Sequence, residues 1–232
     1  MNERAHTGSN GAVLRVSLVY MMTGFVMFLT FGLLGLVMRL DHARWLTLSP
    51  DWFYRIMTIH GAGMVTAMLL AAMGALTATL SRSMSFSTMW LWVAFMTYFS
   101  SAFFVLLAVL VGGFAAGWTS LDPLPYHGLT WDKWAGIVMY VGFFFVAIGL
   151  LIYCVHLLLT LRKAAGGFRN ALGWPRLFSW GRDTTTPTPS PPELAGMVVS
   201  IVGICTAVGG ALVLIPLFAE AAGLIGTLSA LY

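Results

Sequence analysis

Long apolar runs separated by short polar segments set the pattern of this chain. They cover approximately 13–38, 53–80, 89–116, 134–161 and 194–218. Each is long enough to cross the hydrocarbon core of a bilayer as a helix, which takes about 20 residues. None alternates apolar with polar residues over about ten positions, as a membrane β-strand does, so helices are predicted. The expected fold is all-α, a single membrane domain over 1–232 built as a polytopic bundle of about five transmembrane helices. The first run, Val13 to Met38, is too long for the apolar core of a signal peptide, and no small-x-small cleavage site precedes Arg39. It reads as a membrane span.

Composition narrows the class further. Hydrophobic residues make up 59% of the chain and charged residues 9%, where a soluble domain carries about a quarter charged. The mean hydropathy is +0.88. Nothing here forms a soluble catalytic domain, and no GxGxxG, P-loop, HExxH, GxSxG or paired CxxC motif occurs. No catalytic residue is assigned. No basic stripe with interleaved aromatics points to nucleic acid. Cys154 and Cys205 fall inside apolar runs and read as small core residues.

The main polar interruption is 162–193. It carries Arg162, Lys163, Arg169, Arg176 and Arg182 and ends in the run TTTPTPSPP, which reads as a flexible, extended linker. With Arg4 and Arg15 in the N-terminal segment and Arg82 between the second and third runs, the positive-inside rule places this side, and the N-terminus, in the cytoplasm; the expected location is a prokaryotic inner membrane. Membrane lipid is the expected surrounding. The opposite side holds Arg39, Arg44 and Arg55 among Asp41 and Asp51, more basic than the rule favours, and a positive cluster there asks for an anionic partner. The segment GWTSLDPLPYHGLTWDKW between the third and fourth runs is rich in Trp and Tyr, as expected of an interfacial loop.

His60 is the intramembrane polar residue to weigh. It lies about two turns into the second helix from the outer side. A histidine in a span is costly and usually faces the bundle interior. One imidazole nitrogen can ligate iron while a hydrogen bond holds the other, and Gly61 and Gly63 leave room for close approach of a flat porphyrin. The alternative is a core histidine bonded to a neighbouring hydroxyl or carbonyl, and residue type alone favours that alternative. His156 sits near the cytoplasmic end of the fourth helix, ~20 Å deeper at 1.5 Å per residue, and cannot share an iron with His60. His6, His42 and His127 lie in polar segments and read as solvated.

The segment MRLDHARWLTLSPDWFYRIMTIHGAGM resembles the junction of helices one and two in subunit I of haem–copper oxidases (the cytochrome c oxidase and nitric oxide reductase superfamily). In that family a basic residue closes helix one and an aromatic-rich helix start leads into a TxHG or TxHA motif. The MSF…W run and GWTSLDPLP are also similar to family segments, in the same order, and the resemblance covers essentially the whole chain as helices one to five. It implies that His60 is an axial ligand of a low-spin haem of b or a type. It implies too that Arg39 lies at that haem's periphery, with Arg44 and Arg55 as candidate partners of the propionates or, equally, of lipid headgroups or a partner's acidic loop.

The departures shape the functional expectation. The family's later helices carry the second axial histidine, the high-spin haem ligand and the copper histidines, and none has a counterpart before Tyr232. The Asn/Asp pattern that opens one type of proton channel is missing between the second and third helices. The leading expectation is a split catalytic subunit. This chain would help bind the low-spin haem and relay electrons to a haem–copper site on a partner polypeptide that reduces oxygen, with copper only on partner chains. A subunit II-like partner would bring electrons in. The alternatives are a haem b electron-transfer subunit of another respiratory complex, or a haem-free structural or assembly subunit.

Overall fold

The computed structural model describes residues 3–117, 131–178 and 188–226; side chains before Gly11, and those of Arg176 and Leu177, are not described. All the regular elements among these residues are helical. In order they are α1 (Glu3–His42), α2 (Pro50–Leu80), α3 (Thr88–Leu106, continued by a π-helical turn over Leu107–Val111), α4 (Lys133–Ala164), the short α5 (Phe168–Ala171) and α6 (Trp174–Phe178), and α7 (Pro191–Ala221). Five of these, α1 to α4 and α7, are long and apolar enough to cross a membrane. In hydrocarbon the backbone must satisfy its own hydrogen bonds, which is why such runs become unbroken helices.

Helix starts are set by local chemistry. Ser49 accepts from the N–H of Trp52 (3.4 Å) and Pro50 opens α2, where a missing N–H costs nothing. At the head of α7 the backbone N–H of Ser190 donates to Glu193 (2.7 Å), half of a capping box. Asp41 Oδ1 accepts from the Leu48 N–H (2.7 Å) and shapes the turn between α1 and α2. The third apolar run extends to Ala116 in the sequence, but its helix closes at Val111. Gly113, at φ 75, turns the chain there, and the Arg55 guanidinium lies against it, 2.8 Å from where a side chain's Cβ would stand.

The bundle is built from two hairpins and a flanking helix. α1 packs on α2, α3 on α4, and α7 on α4. Backbones approach closely where glycines meet a neighbour: Gly24 against Ala67 and Ala71, Gly74 against Ser17 and Tyr20, and Gly149 against the Tyr98 backbone. Close approach through small residues is the usual route to helix association in lipid, where apolar burial alone drives little. Cys154 is buried with its sulfur over Gly203 of α7, while Cys205 is exposed.

Three buried tyrosines join the hairpins. Tyr20 of α1 donates to the carbonyl of Leu91 on α3 (2.6 Å), and Tyr98 of α3 to that of Thr66 on α2 (3.2 Å). Tyr153 of α4 donates to the carbonyl of Met73 on α2 (2.9 Å), with Thr77 Oγ1 3.1 Å away. Outward, the apolar windows of α1 and α7 are only 11% buried, against 33% to 39% for the other three. Large side chains such as Phe25 on α1 and Leu212 on α7 therefore face lipid or other helices. The protein is a multi-pass membrane protein.

The basic segment after α4 contains two short helices. Its first part forms α5 and α6, with Arg162 stacked over the Phe168 ring (5.2 Å). The Thr/Pro run expected to be extended lies outside the described residues as far as Pro187, and so does most of the aromatic loop between α3 and α4, including His127.

Candidate functional site

His60 stands ten residues into α2, about 15 Å along its axis. Its half-buried ring packs into the face of α1. Nδ1 lies 2.7 Å from the carbonyl oxygen of Phe31. A carbonyl only accepts, so Nδ1 carries the proton and donates. In a neutral imidazole that leaves Nε2 as the lone-pair nitrogen. Among the described residues Nε2 has no hydrogen-bond partner. The sequence left open whether His60 is a satisfied core histidine or a ligand; the geometry satisfies one nitrogen and frees the other, the arrangement seen in metal-bound histidines.

The ring fits because of Gly35. A Cβ there would lie 2.6 Å from Cε1 and 3.1 Å from Nε2 of His60, well inside ordinary contact. Gly63, one turn on from His60, is buried and faces the ring of Phe31, which would collide with any side chain at that position. Its missing side chain thus admits α1 and holds the residue whose carbonyl takes the histidine proton. Gly61 is half-buried. Beside this contact the interior holds a cavity of only about 20 Å³, bounded by Phe31, Ile59 and Gly63 among others.

Thr58 supplies a second brace. Its hydroxyl donates to the Tyr54 carbonyl (2.8 Å) and accepts from the Gly117 N–H (2.9 Å). The first residue of the GWTSLDPLP segment is thereby tied to α2 two positions before His60. Phe31, Gly35 and the link from Thr58 to Gly117 are contributions that the sequence reading missed. A backbone carbonyl leaves no mark in a sequence. Gly35, a glycine in an apolar helix, was the available sign of a face open to a neighbour's ring.

The three arginines differ. Arg55 is paired with Asp51 (2.8 Å, i to i+4) and lies over the Trp52 ring (5.1 Å). Arg39, in the last turn of α1, and Arg44, at φ 62 in the following turn, are exposed. Neither has an ion pair among the described residues. Two cations at this end of the bundle are therefore open to an anion, and the third already has one. His42 packs by the Phe53 ring (5.2 Å). His156 is far away, near the other end of α4.

Searches of curated proteins and of solved structures gave no match to this chain. The sequence profile described as cytochrome c and quinol oxidase polypeptide I matches residues 15–228. That match runs through α1 to α7 and includes the junction that seats His60 against Phe31 and Gly35. The chain belongs to the cytochrome c and quinol oxidase polypeptide I family.

Proposed function

We propose that this chain forms the part of a haem–copper respiratory oxidase that provides one axial ligand, His60, to a low-spin haem. The observation that carries the reading is the 2.7 Å bond from Nδ1 to the Phe31 carbonyl, because it fixes the tautomer whose Nε2 can bind iron. When bound, the haem supplies a one-electron carrier whose potential responds to ligand, hydrogen bonding and burial. The chain's own residues orient and tune. The Phe31 carbonyl raises the basicity of the imidazole. Gly35 gives the ring its seat, and Thr58 braces the helix just before it. Arg39 and Arg44 offer charge-assisted hydrogen bonds to haem carboxylates, whereas Arg55, neutralised by Asp51, positions the start of α2.

In this reading the second axial ligand and the copper site come from other helices, on a partner polypeptide, and a subunit II-like partner delivers electrons. The cavity of about 20 Å³ beside Phe31 and Gly63 holds about one water, so in this reading a porphyrin at His60 is enclosed with the help of further helices. The basic segment that includes Arg162 and Lys163 faces the cytoplasm by the positive-inside rule.

The test is a reduced-minus-oxidised spectrum with haem quantitation on the native complex, for the wild type and His60→Ala. The variant should lose the low-spin band while the complex stays assembled on a native gel. An unchanged spectrum would sink the ligand assignment, and a wild-type complex without haem would make the chain a scaffold.

A further inference from the structure

At the opposite end of the bundle from His60, the other intramembrane histidine has an unmet need. His156 of α4 sets its ring edge-on to Phe86 (5.8 Å). Its Nε2 is buried and has no hydrogen-bond partner among the described residues. A buried polar atom without a protein partner is commonly met by a buried water.

The ring borders two spaces. One is a cavity of about 750 Å³ between the α2–α3 turn and the last turns of α4. Its lining includes Arg82 and Lys163 and no acidic residue. Both cations are exposed, and neither has an ion pair among the described residues. Of the four serines in the turn, Ser81 and Ser83 donate to nearby carbonyls. Ser85 and Ser87 have no side-chain bond within the described residues, and Ser87 stands at the start of α3 without making a capping bond. The other space, about 300 Å³, is an apolar groove between α3 and α4 walled by Trp90, Leu151, Ile152 and Val155. His156 and Leu159 line both.

A cationic, hydroxyl-bearing cup at the helix ends thus continues into an apolar groove within the span. Leu151 to Leu159 covers about 12 Å of helix, enough for the upper half of an acyl chain. We propose that this is a binding site for one anionic glycerophospholipid. The phosphate lies in the cup on Arg82 and Lys163 beside the His156 ring, and an acyl chain follows the groove past Trp90. Charge complementarity and the junction of the two spaces favour a lipid over a protein segment: an acidic peptide would match the cup and leave the groove unfilled. The site shares no residue with the His60 site and does not depend on the haem reading.

The test uses the solubilised native complex, exchanged into a neutral detergent and titrated with brominated-acyl phosphatidylglycerol. Bromine quenches indole fluorescence at short range, and the Trp90 share is the quenching lost in Trp90→Phe. A saturable Trp90 component with phosphatidylglycerol, much weaker with brominated phosphatidylcholine, is expected. In Arg82→Gln/Lys163→Gln the affinity should fall about thirty-fold, from the loss of two cation contacts. Equal quenching by both lipids, or unchanged affinity in the double variant, would overturn the proposal and leave an ordinary annular lipid. Displacement by millimolar inorganic phosphate would reduce the cup to a free-phosphate site. No Trp90 quenching by either lipid would mean that a protein covers the groove.

Discussion

Gly35→Ala tests the histidine seat without touching the histidine. The new methyl would stand 2.6 Å from His60 Cε1 and 3.2 Å from Nδ1. Non-bonded carbons settle at about 3.5–4.0 Å, so the ring must retreat by roughly 1 Å. The 2.7 Å bond to the Phe31 carbonyl cannot survive a retreat of that size away from α1, since it would stretch beyond useful range. The direct losses are about 1 kcal/mol for the hydrogen bond and about 1–3 kcal/mol for overpacking. Alanine improves helix propensity by about 0.5–1 kcal/mol over glycine, which does not offset them. Losing the bond that orients a metal-bound histidine lowers metal affinity by about 10–100-fold.

The assay is haem content per complex with the reduced-minus-oxidised spectrum, measured across detergent dilution so that weakened binding shows as loss. Gly32→Ala is the matched control. It makes the same change on the same helix, and its Cβ meets nothing within 4 Å. Gly35→Ala should lose low-spin haem or shift its band, and Gly32→Ala should behave as wild type. Should Gly35→Ala keep wild-type haem through dilution, the seat formed by α1 would not control the ligand, and the tautomer argument would fail with it.

Two further predictions concern the scaffold. Tyr153→Phe removes the hydroxyl that bonds the Met73 carbonyl across the hairpins and should cost about 0.6–1.7 kcal/mol, the range for interhelical hydrogen bonds in membranes; denaturant unfolding in mixed micelles reads it, and an unchanged midpoint would contradict the link. Gly149→Ala sets a methyl 2.6 Å from the Tyr98 backbone nitrogen, where no side-chain rotation gives relief, so α3 and α4 must separate and the complex should lose about 1–3 kcal/mol. Gly136→Ala on the same helix, with open space around it, should be tolerated, and equal melting of the two variants would refute the packing argument.

The membrane bundle was legible because hydrocarbon imposes one rule on every span, and the apolar runs of the sequence carry that rule openly. His60 could be singled out by type, since a histidine inside a span stands apart from its neighbours. Its state could not be read, because the deciding partner is the Phe31 carbonyl, a backbone atom identical in kind at every position. Arg55 shows the opposite case. Asp51 stands four residues earlier on the same helix, so their pair was present in the spacing, while the basic cluster as a whole drew attention to an external anion. The π-helical turn at Leu107–Val111, and the tie from Gly117 to Thr58 that follows it, have no local signature in the sequence.

The α1–α2 contact joins these levels. Moving along α1, Ser17 meets Gly74, Gly24 meets Ala67 and Ala71, Phe31 meets Gly63, and Gly35 meets His60. Partners advance on one helix as they retreat on the other, which is the register of a straight antiparallel pair. At two of these meetings, Gly63 with Phe31 and Gly35 with His60, a glycine receives a ring of the other helix; at the other two, Gly74 with Ser17 and Gly24 with Ala67 and Ala71, it receives backbone. A slip by one residue would rotate each glycine by about 100° away from its partner and drive side chains into backbone along the pair. The register that lets the helices touch is therefore the same one that brings the Phe31 carbonyl to Nδ1. Packing elsewhere on the hairpin, at Gly24 and Gly74, thus acts on His60 through register, and Gly24→Ala should loosen the histidine seat although it lies more than two turns from it.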